Sequence, residues 1–351
     1  MVIHAQGVHR GRRSGRDLGG RTRWRSGGVT RVHARDRVRL YVLEPPIHAY
    51  RRAVCDLHDT VVVAGSPRSG TTWVADSLAQ VSHRALINEP LFIRRIPRAR
   101  KVLGSWRPYV PRNTDDAPLT AFMTDVLTGQ VGALNLQGDR LRVLPRELPR
   151  RKLVVKFVRA NRMLGWLDES FQVRMIVFLL RHPCAVVSSQ MEMGRAEGSA
   201  WAAKAAPSPE RLHAAIGGTL PDELVSRYET AISQVRSGAG VLASTWAWDN
   251  LLPLLLEQPS RWRVLPYESM VNDPGQSMMN IAAAVGETFD DLAVRSLPSP
   301  ASLGKFSANL SVEEVDEILA VVHAFGFDFY SDSPLPDMTR LRQLVGSTAL
   351  A

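Results

Sequence analysis

The chain has 351 residues, 45% of them hydrophobic, enough to bury a full core in one large domain or two ordinary ones. Its formal charge of +10 would point to a polyanion partner if spread over the fold, but residues 1–40 hold eleven arginines against Asp17 and Asp36, leaving the rest close to neutral. No apolar run approaches the ~18 residues of a membrane span, the basic N-terminus lacks the apolar stretch of a secretory signal, and Cys55 and Cys184 are too few for a disulfide framework and lack metal-ligand spacing, so a cytoplasmic protein is expected.

In chain order, residues 1–45 form a basic extension rich in Gly, Arg and Ser with no apolar periodicity, and are expected to be disordered. The first strong strand is predicted at 60–64, a β-branched run, followed by a Gly/Ser/Pro loop and a helix over 71–81. A short strand at 85–88 follows, and a right-handed crossover would lay it parallel to the first. Further strands are predicted at 153–158, 174–180 and 262–265, apolar on both faces as expected where helices cover a parallel sheet. A helix over 273–286 would be capped by Asp273, start on Pro274 and stop at Gly286, and Ser311-Val312-Glu313-Glu314 is a capping box opening another that runs to about Phe325.

The fold expected is therefore α/β, an open and mostly parallel sheet with helices on both faces. It forms one domain over 46–335, with insertions at about 93–150 and 194–240 over the carboxyl edge of the strands and a C-terminal tail at 336–351.

Gly65-Ser66-Pro67-Arg68-Ser69-Gly70-Thr71-Thr72 has the glycine spacing of a phosphate-cradling loop, set between a strand and a helix N-terminus. A nucleotide-triphosphatase loop would carry Lys after the second glycine, where Thr71 stands, and would pair with a strand ending in Asp to hold magnesium. The best candidate strand ends in Arg181 instead.

With Trp73 added, this segment resembles the 5′-phosphosulfate loop of sulfotransferases that use 3′-phosphoadenylyl sulfate (PAPS). By that resemblance Arg68, Ser69, Gly70, Thr71 and Thr72 bind the 5′-phosphosulfate and Trp73 stacks near the adenine; otherwise Trp73 is an ordinary apolar helix residue. The family also grips the 3′-phosphate with an Arg at a strand end and a Ser eight residues later, here Arg181 and Ser189, with Ser188 an adjacent alternative. Arg offers phosphate oxygens a planar fork and Ser adds a hydroxyl. His182 stands where many relatives have Asp, and Cys184 where a basic residue is common. A third segment, Val264-Leu265-Pro266-Tyr267-Glu268 with Asn272-Asp273-Pro274, resembles the family's strand and helix near the adenine, making Tyr267 either a contact or a strand-end residue with a solvated hydroxyl.

The resemblance implies transfer of a sulfuryl group to an acceptor hydroxyl or amine, with PAPS as co-substrate and no metal. Such chemistry needs one base and cations at the leaving phosphate and sulfuryl oxygens. Arg68 and Lys156 are the candidate cations. No histidine lies between Glu89 and Arg181, which removes the mid-chain histidine base of small-molecule relatives. Glu89, at the end of the 85–88 strand, matches in kind the glutamate base of several carbohydrate sulfotransferases; its alternative role is an ion pair with Arg94 or Arg95. His83 is a weaker base candidate, and Asp168, Glu169 and Lys305 are not placed by the sequence. Arg94, Arg95, Arg98, Arg100, Trp106 and Arg107 suggest a polar or anionic acceptor such as a carbohydrate, with a lipid or aromatic natural product as the alternative. Two other readings are a phosphate-loop kinase or NTPase, and a polyanion-binding protein driven by the N-terminal arginines, without specific nucleic-acid recognition.

Overall fold

The computed structural model describes residues 44–94, 96–131, 149–196, 219–254, 262–288 and 299–346. The basic extension before residue 44 and parts of both expected insertions lie outside the described residues.

Among the described residues five strands make one sheet: β1 (Val61–Gly65), β2 (Ala85–Asn88), β3 (Leu153–Phe157), β4 (Met175–Leu180) and β5 (Trp262–Pro266). Their order is β2-β3-β1-β4-β5 and every pairing is parallel, so all five carboxyl ends lie along one edge. The expected strand and helix after the phosphate loop, 85–88 and 71–81, have those bounds, and the other strands differ by a residue at one or both ends. The 85–88 strand is parallel to β1 as expected, but β3 lies between them.

Because side chains alternate across a strand, Val62 and Ala64 enter one hydrophobic cluster while Val61 and Val63 enter a second on the opposite face. This explains the unbroken apolar runs: neither face of β1, β3 or β4 meets water.

The helices are α1 (Glu44–Val54), α2 (Thr71–Val81), α3 (Pro97–Leu103), α4 (Ala117–Leu127), α5 (Leu164–Phe171), α6 (Pro183–Ala196), α7 (Asp222–Arg227), α8 (Glu229–Ser233), α9 (Gly238–Leu254), α10 (Tyr267–Asn272), α11 (Pro274–Ala284), α12 (Phe306–Asn309), α13 (Val312–Ala324) and α14 (Met338–Val345). Asp273 caps α11 through the Gln276 amide, and Ser311 with Glu314 forms the expected capping box on α13. Among the described residues no helix is long and apolar enough to cross a membrane.

Three segments differ from expectation. Part of the 93–150 insertion is a core element: α4 packs against β3 and buries Leu119, Phe122, Met123, Val126 and Leu127. The expected 336–351 tail contains α14, which buries Leu341 and Val345 in the larger cluster. Within the 194–240 region, residue 238 opens α9, a helix buried almost all round; it lacks the one-sided apolar period that would mark it in sequence.

Candidate active site

The parallel sheet delivers a candidate residue to the same edge from every strand: the loop after β1, Glu89 after β2, Lys156 within β3, Arg181 after β4 and Tyr267 after β5.

The loop after β1 is shaped by close contacts. A Cβ at Gly65 would lie 2.7 Å from the Leu179 carbonyl oxygen, and one at Gly70 would lie 2.6 Å from Tyr267 Cδ2. Gly70 has φ +89° and Arg68 φ +77°; the second is uncommon for a side-chain-bearing residue and is held here by neighbours. The Ser69 amide donates to the Ser66 carbonyl at 3.1 Å, Asn250 Nδ2 donates to Ser66 Oγ at 3.1 Å, and Gln190 Nε2 donates to the Pro67 carbonyl at 3.0 Å. Gly70 offers α2 no side-chain cap, and Ser69 Oγ is buried without a hydrogen-bond partner, so polar groups are left over at the helix start.

Arg181 joins the loop to the β4 end. Its Nη1 donates to the Arg68 carbonyl at 2.7 Å, its Nη2 to the Ser302 carbonyl at 3.3 Å, and its guanidinium lies 4.1 Å over the Tyr267 ring. Burial pushes this guanidinium below its ordinary value, with Tyr267 and Glu268 opposing. Arg68 Nε in turn donates to Ser189 Oγ at 3.0 Å. Arg68, Arg181, Ser188, Ser189, Lys305 and Asn309 line a pocket with about 200 Å³ of space. Tyr267 is 6% exposed and its hydroxyl lies 2.8 Å from Ser302 Oγ, so in this structure the ring backs Arg181 and Gly70.

His182 accounts for a departure noted in the sequence. As the residue before α6 it accepts the Cys184 amide on Nδ1 at 3.2 Å, the acceptor role an aspartate would fill, while Nε2 donates to the Ser331 carbonyl at 2.9 Å. The ring stacks on Phe306 at 4.7 Å, and burial lowers its pKa to about 4, so the neutral tautomer is fixed by its two partners. Glu268 accepts the His182 amide at 2.8 Å, and burial raises its carboxyl to about 7.

On the other side of β1, the Glu89 carboxylate faces Lys156 Nζ at 3.0 Å and Arg159 Nη1 at 2.8 Å, while Arg95 lies outside the described residues. Glu89 also has a left-handed backbone, φ +52°. Arg159 lies 4.2 Å from the Trp106 ring centre and 4.7 Å from that of Phe92. Beyond it, Asp249 pairs with Arg107 at 3.0 Å and Arg162 at 2.9 Å.

The fold thus gathers Arg68, Ser69, Gly70, Arg181, Ser189 and Tyr267 on one flank and Glu89 with Lys156 on the other. Thr71 is buried and Thr72 exposed in the first turn of α2, and Trp73 is half-buried against the smaller core cluster. Lys305 reaches the pocket, whereas Asp168 and Glu169 lie on α5, the latter 4.0 Å from Arg112. His83 precedes β2 and so lies toward the opposite edge. Sequence reasoning missed Arg159, Ser302, Asn250 and Gln190. Of these, only Arg159 carries a local signal, a cation three residues past Lys156 beyond a strand end.

A family model described as the sulfotransferase family matches residues 60–291. The chain belongs to the sulfotransferase family. That match spans the loop, Arg181, Ser189, Glu89, Lys156 and Tyr267. Three solved sulfotransferase structures are similar to it. The sulfotransferase domain from the Synechococcus PCC 7002 olefin synthase is 19% identical, with a TM-score of 0.41 over 79% of this chain and 95% of that one. The sulfotransferase domain from the curacin biosynthetic pathway is 18% identical, with a TM-score of 0.37 over 83% and 97%. The sulfotransferase from Alicyclobacillus acidocaldarius is 15% identical, with a TM-score of 0.34 over 75% and 95%. No curated protein matches the chain. Membership makes it a transferase that takes its sulfuryl group from a sulfate-donor co-substrate. Among the described residues no group of three or more His, Cys, Asp or Glu is placed to hold a metal ion.

Proposed function

We propose that this sulfotransferase takes its sulfuryl group from PAPS and passes it to an acceptor hydroxyl or amine, with Glu89 as base and a small molecule or carbohydrate as acceptor. The observation that carries this reading is the pocket beside the phosphate loop, where Arg68, Arg181, Ser188, Ser189 and Lys305 converge. It supplies the charge and hydroxyls a 3′-phosphate requires, a group ATP lacks. The uncapped start of α2 and the buried Ser69 hydroxyl suit the 5′-phosphosulfate.

In the reaction the acceptor oxygen or nitrogen attacks sulfur in line, the bond from sulfur to the bridging phosphate oxygen breaks, and adenosine 3′,5′-bisphosphate leaves. Glu89 takes the acceptor's proton. Each carboxylate oxygen has two lone-pair directions, so an oxygen paired with one cation can still accept a further hydrogen. Lys156 and Arg68 offset charge that grows on the leaving phosphate and the sulfuryl oxygens.

Calorimetric titration with adenosine 3′,5′-bisphosphate, with 5′-AMP and ATP as controls, tests the donor. Selective binding of the bisphosphate, lost in Arg181→Ala, supports PAPS; equal or tighter binding of ATP would sink it.

A further inference from the structure

The two flanks of the site differ in how much positive charge they hold. On the flank toward β2 and β3, Glu89 is shared by Lys156 and Arg159, and Asp249 is shared by Arg107 and Arg162. Each of these two carboxylates therefore meets two of the four cations. Arg94, an exposed residue, adds a fifth, lying 5.0 Å from the Trp106 ring that Arg159 also touches. Arg107 and Arg94 lie close enough to Arg159 to push its guanidinium down further than burial alone, against the pull of Glu89. Gathering like charges in a half-buried place is costly unless an anion joins them.

The geometry indicates how that anion would be held. Arg159 Cζ lies over both the Phe92 and the Trp106 rings, whose π faces attract and hold the cation. Its Nε is buried and has no hydrogen-bond partner. The pocket read as the donor site lies on the β4 flank of the phosphate loop, and this cluster lies on the flank of β2 and β3.

We propose that Arg94, Arg107 and Arg159 form an oxyanion subsite for the acceptor, making this chain a sulfotransferase for acceptors that carry a carboxylate, phosphate or sulfate near the reacting hydroxyl or amine. The inference rests on the donor reading above. Glu89 pairs with Arg159 at 2.8 Å, so an anion bound by Arg159 holds the neighbouring nucleophile against the base.

The test uses the full chain saturated with adenosine 3′,5′-bisphosphate and titrated with inorganic sulfate and, separately, acetate, in the wild type, Arg94→Ala and Arg107→Ala. Melting curves show which variants remain folded; Arg94 is exposed, so its variant keeps the test open if Arg107→Ala does not fold. Sulfate or acetate affinity falling about tenfold in Arg94→Ala, with bisphosphate affinity unchanged, supports the subsite. Bisphosphate binding with anion affinity indifferent to both substitutions would overturn the subsite alone and put the anion at the donor's own sulfuryl position. A wild type that fails to bind the bisphosphate removes the donor reading and this inference with it.

Discussion

The Arg181 guanidinium donates to the main-chain carbonyl of Arg68 at 2.7 Å, tying the end of β4 to the loop after β1. Arg68 returns the link through its own Nε, which donates to Ser189 Oγ on α6 at 3.0 Å. Two motifs that the sequence separates by more than a hundred residues are thus one hydrogen-bonded unit. Arg181 both lines the pocket beside the phosphate loop and sets the shape of that loop.

That double duty predicts unequal effects of similar substitutions. Arg181→Lys keeps the charge but cannot donate to the Arg68 and Ser302 carbonyls while stacking on Tyr267. It should weaken bisphosphate binding by about 10- to 100-fold, whereas Ser189→Ala, which removes one hydroxyl, should cost about threefold to tenfold. In a double-mutant cycle Arg68→Met and Ser189→Ala should be non-additive, because each removes the same hydrogen bond. Strict additivity in calorimetry would mean the Arg68–Ser189 contact contributes nothing to the ligand-binding state.

Gly70→Ala meets two penalties at once. The backbone sits at φ +89°, and the new methyl would lie 2.6 Å from Tyr267 Cδ2, a buried ring backed by Arg181. A destabilisation of about 1–3 kcal/mol is expected from the backbone alone. Tyr267→Ala in the same chain should relieve the contact but leave that cost, so thermal melts of the single and double variants separate the two. Equal melting temperatures for Gly70→Ala and the wild type would show that the loop has another conformation available.

The sheet was legible in the sequence because β-branched runs buried on both faces leave little ambiguity, and Gly70 and Pro183 punctuate the two motifs where α2 and α6 begin. The α9 helix was not legible, since a helix surrounded by protein carries no amphipathic period. Among the candidate site residues, Arg68, Arg181 and Ser189 followed from the resemblance of one loop and one strand end to the family's motifs, and the structure brings them together. The partners of Glu89 could not: which cation reaches it depends on β3 lying between β1 and β2, a long-range pairing with no local signal. The left-handed backbones of Arg68 and Glu89 were equally hidden, because nothing about an arginine or a glutamate announces φ > 0.

Behind Arg181, two buried groups titrate in opposite senses. The Glu268 carboxyl is raised from 4.5 to about 7, so the folded chain holds a proton that the unfolded chain releases earlier. Its contribution is greatest below pH 4.5 and is lost as pH rises through 7. The His182 imidazole is lowered from 6.5 to about 4, so its contribution is full above 6.5 and is lost as pH falls toward 4. Arg181 and Tyr330 face Glu268, and Arg181 also faces His182. Glu268→Gln keeps a carbonyl to accept the His182 amide and should gain stability relative to wild type above pH 7, by an amount on the order of a few kcal/mol. His182→Asn keeps an acceptor for the Cys184 amide and should gain at pH 4–6. Melting midpoints measured from pH 4 to 8 check both, and parallel curves for all three proteins would mean that neither group changes its proton affinity on folding.

The base assignment is the most exposed part of the proposed mechanism. Glu89→Gln preserves size and can still accept from Lys156 and Arg159, but it cannot take a proton from the acceptor. With PAPS and an acceptor found by screening, kcat should fall by about 10²- to 10⁴-fold, the range of a general base, with little change in bisphosphate affinity. Arg159→Gln should behave differently. It leaves the base in place and removes one of its cation contacts, so kcat should change less than in Glu89→Gln, while the KM for the acceptor should rise if Arg159 also holds the acceptor's anion. Retention of kcat within about threefold in Glu89→Gln would be too small a loss for a general base. Proton removal would then pass to another group or to water, and Glu89 would be left as the carboxylate that keeps Lys156 and Arg159 in place.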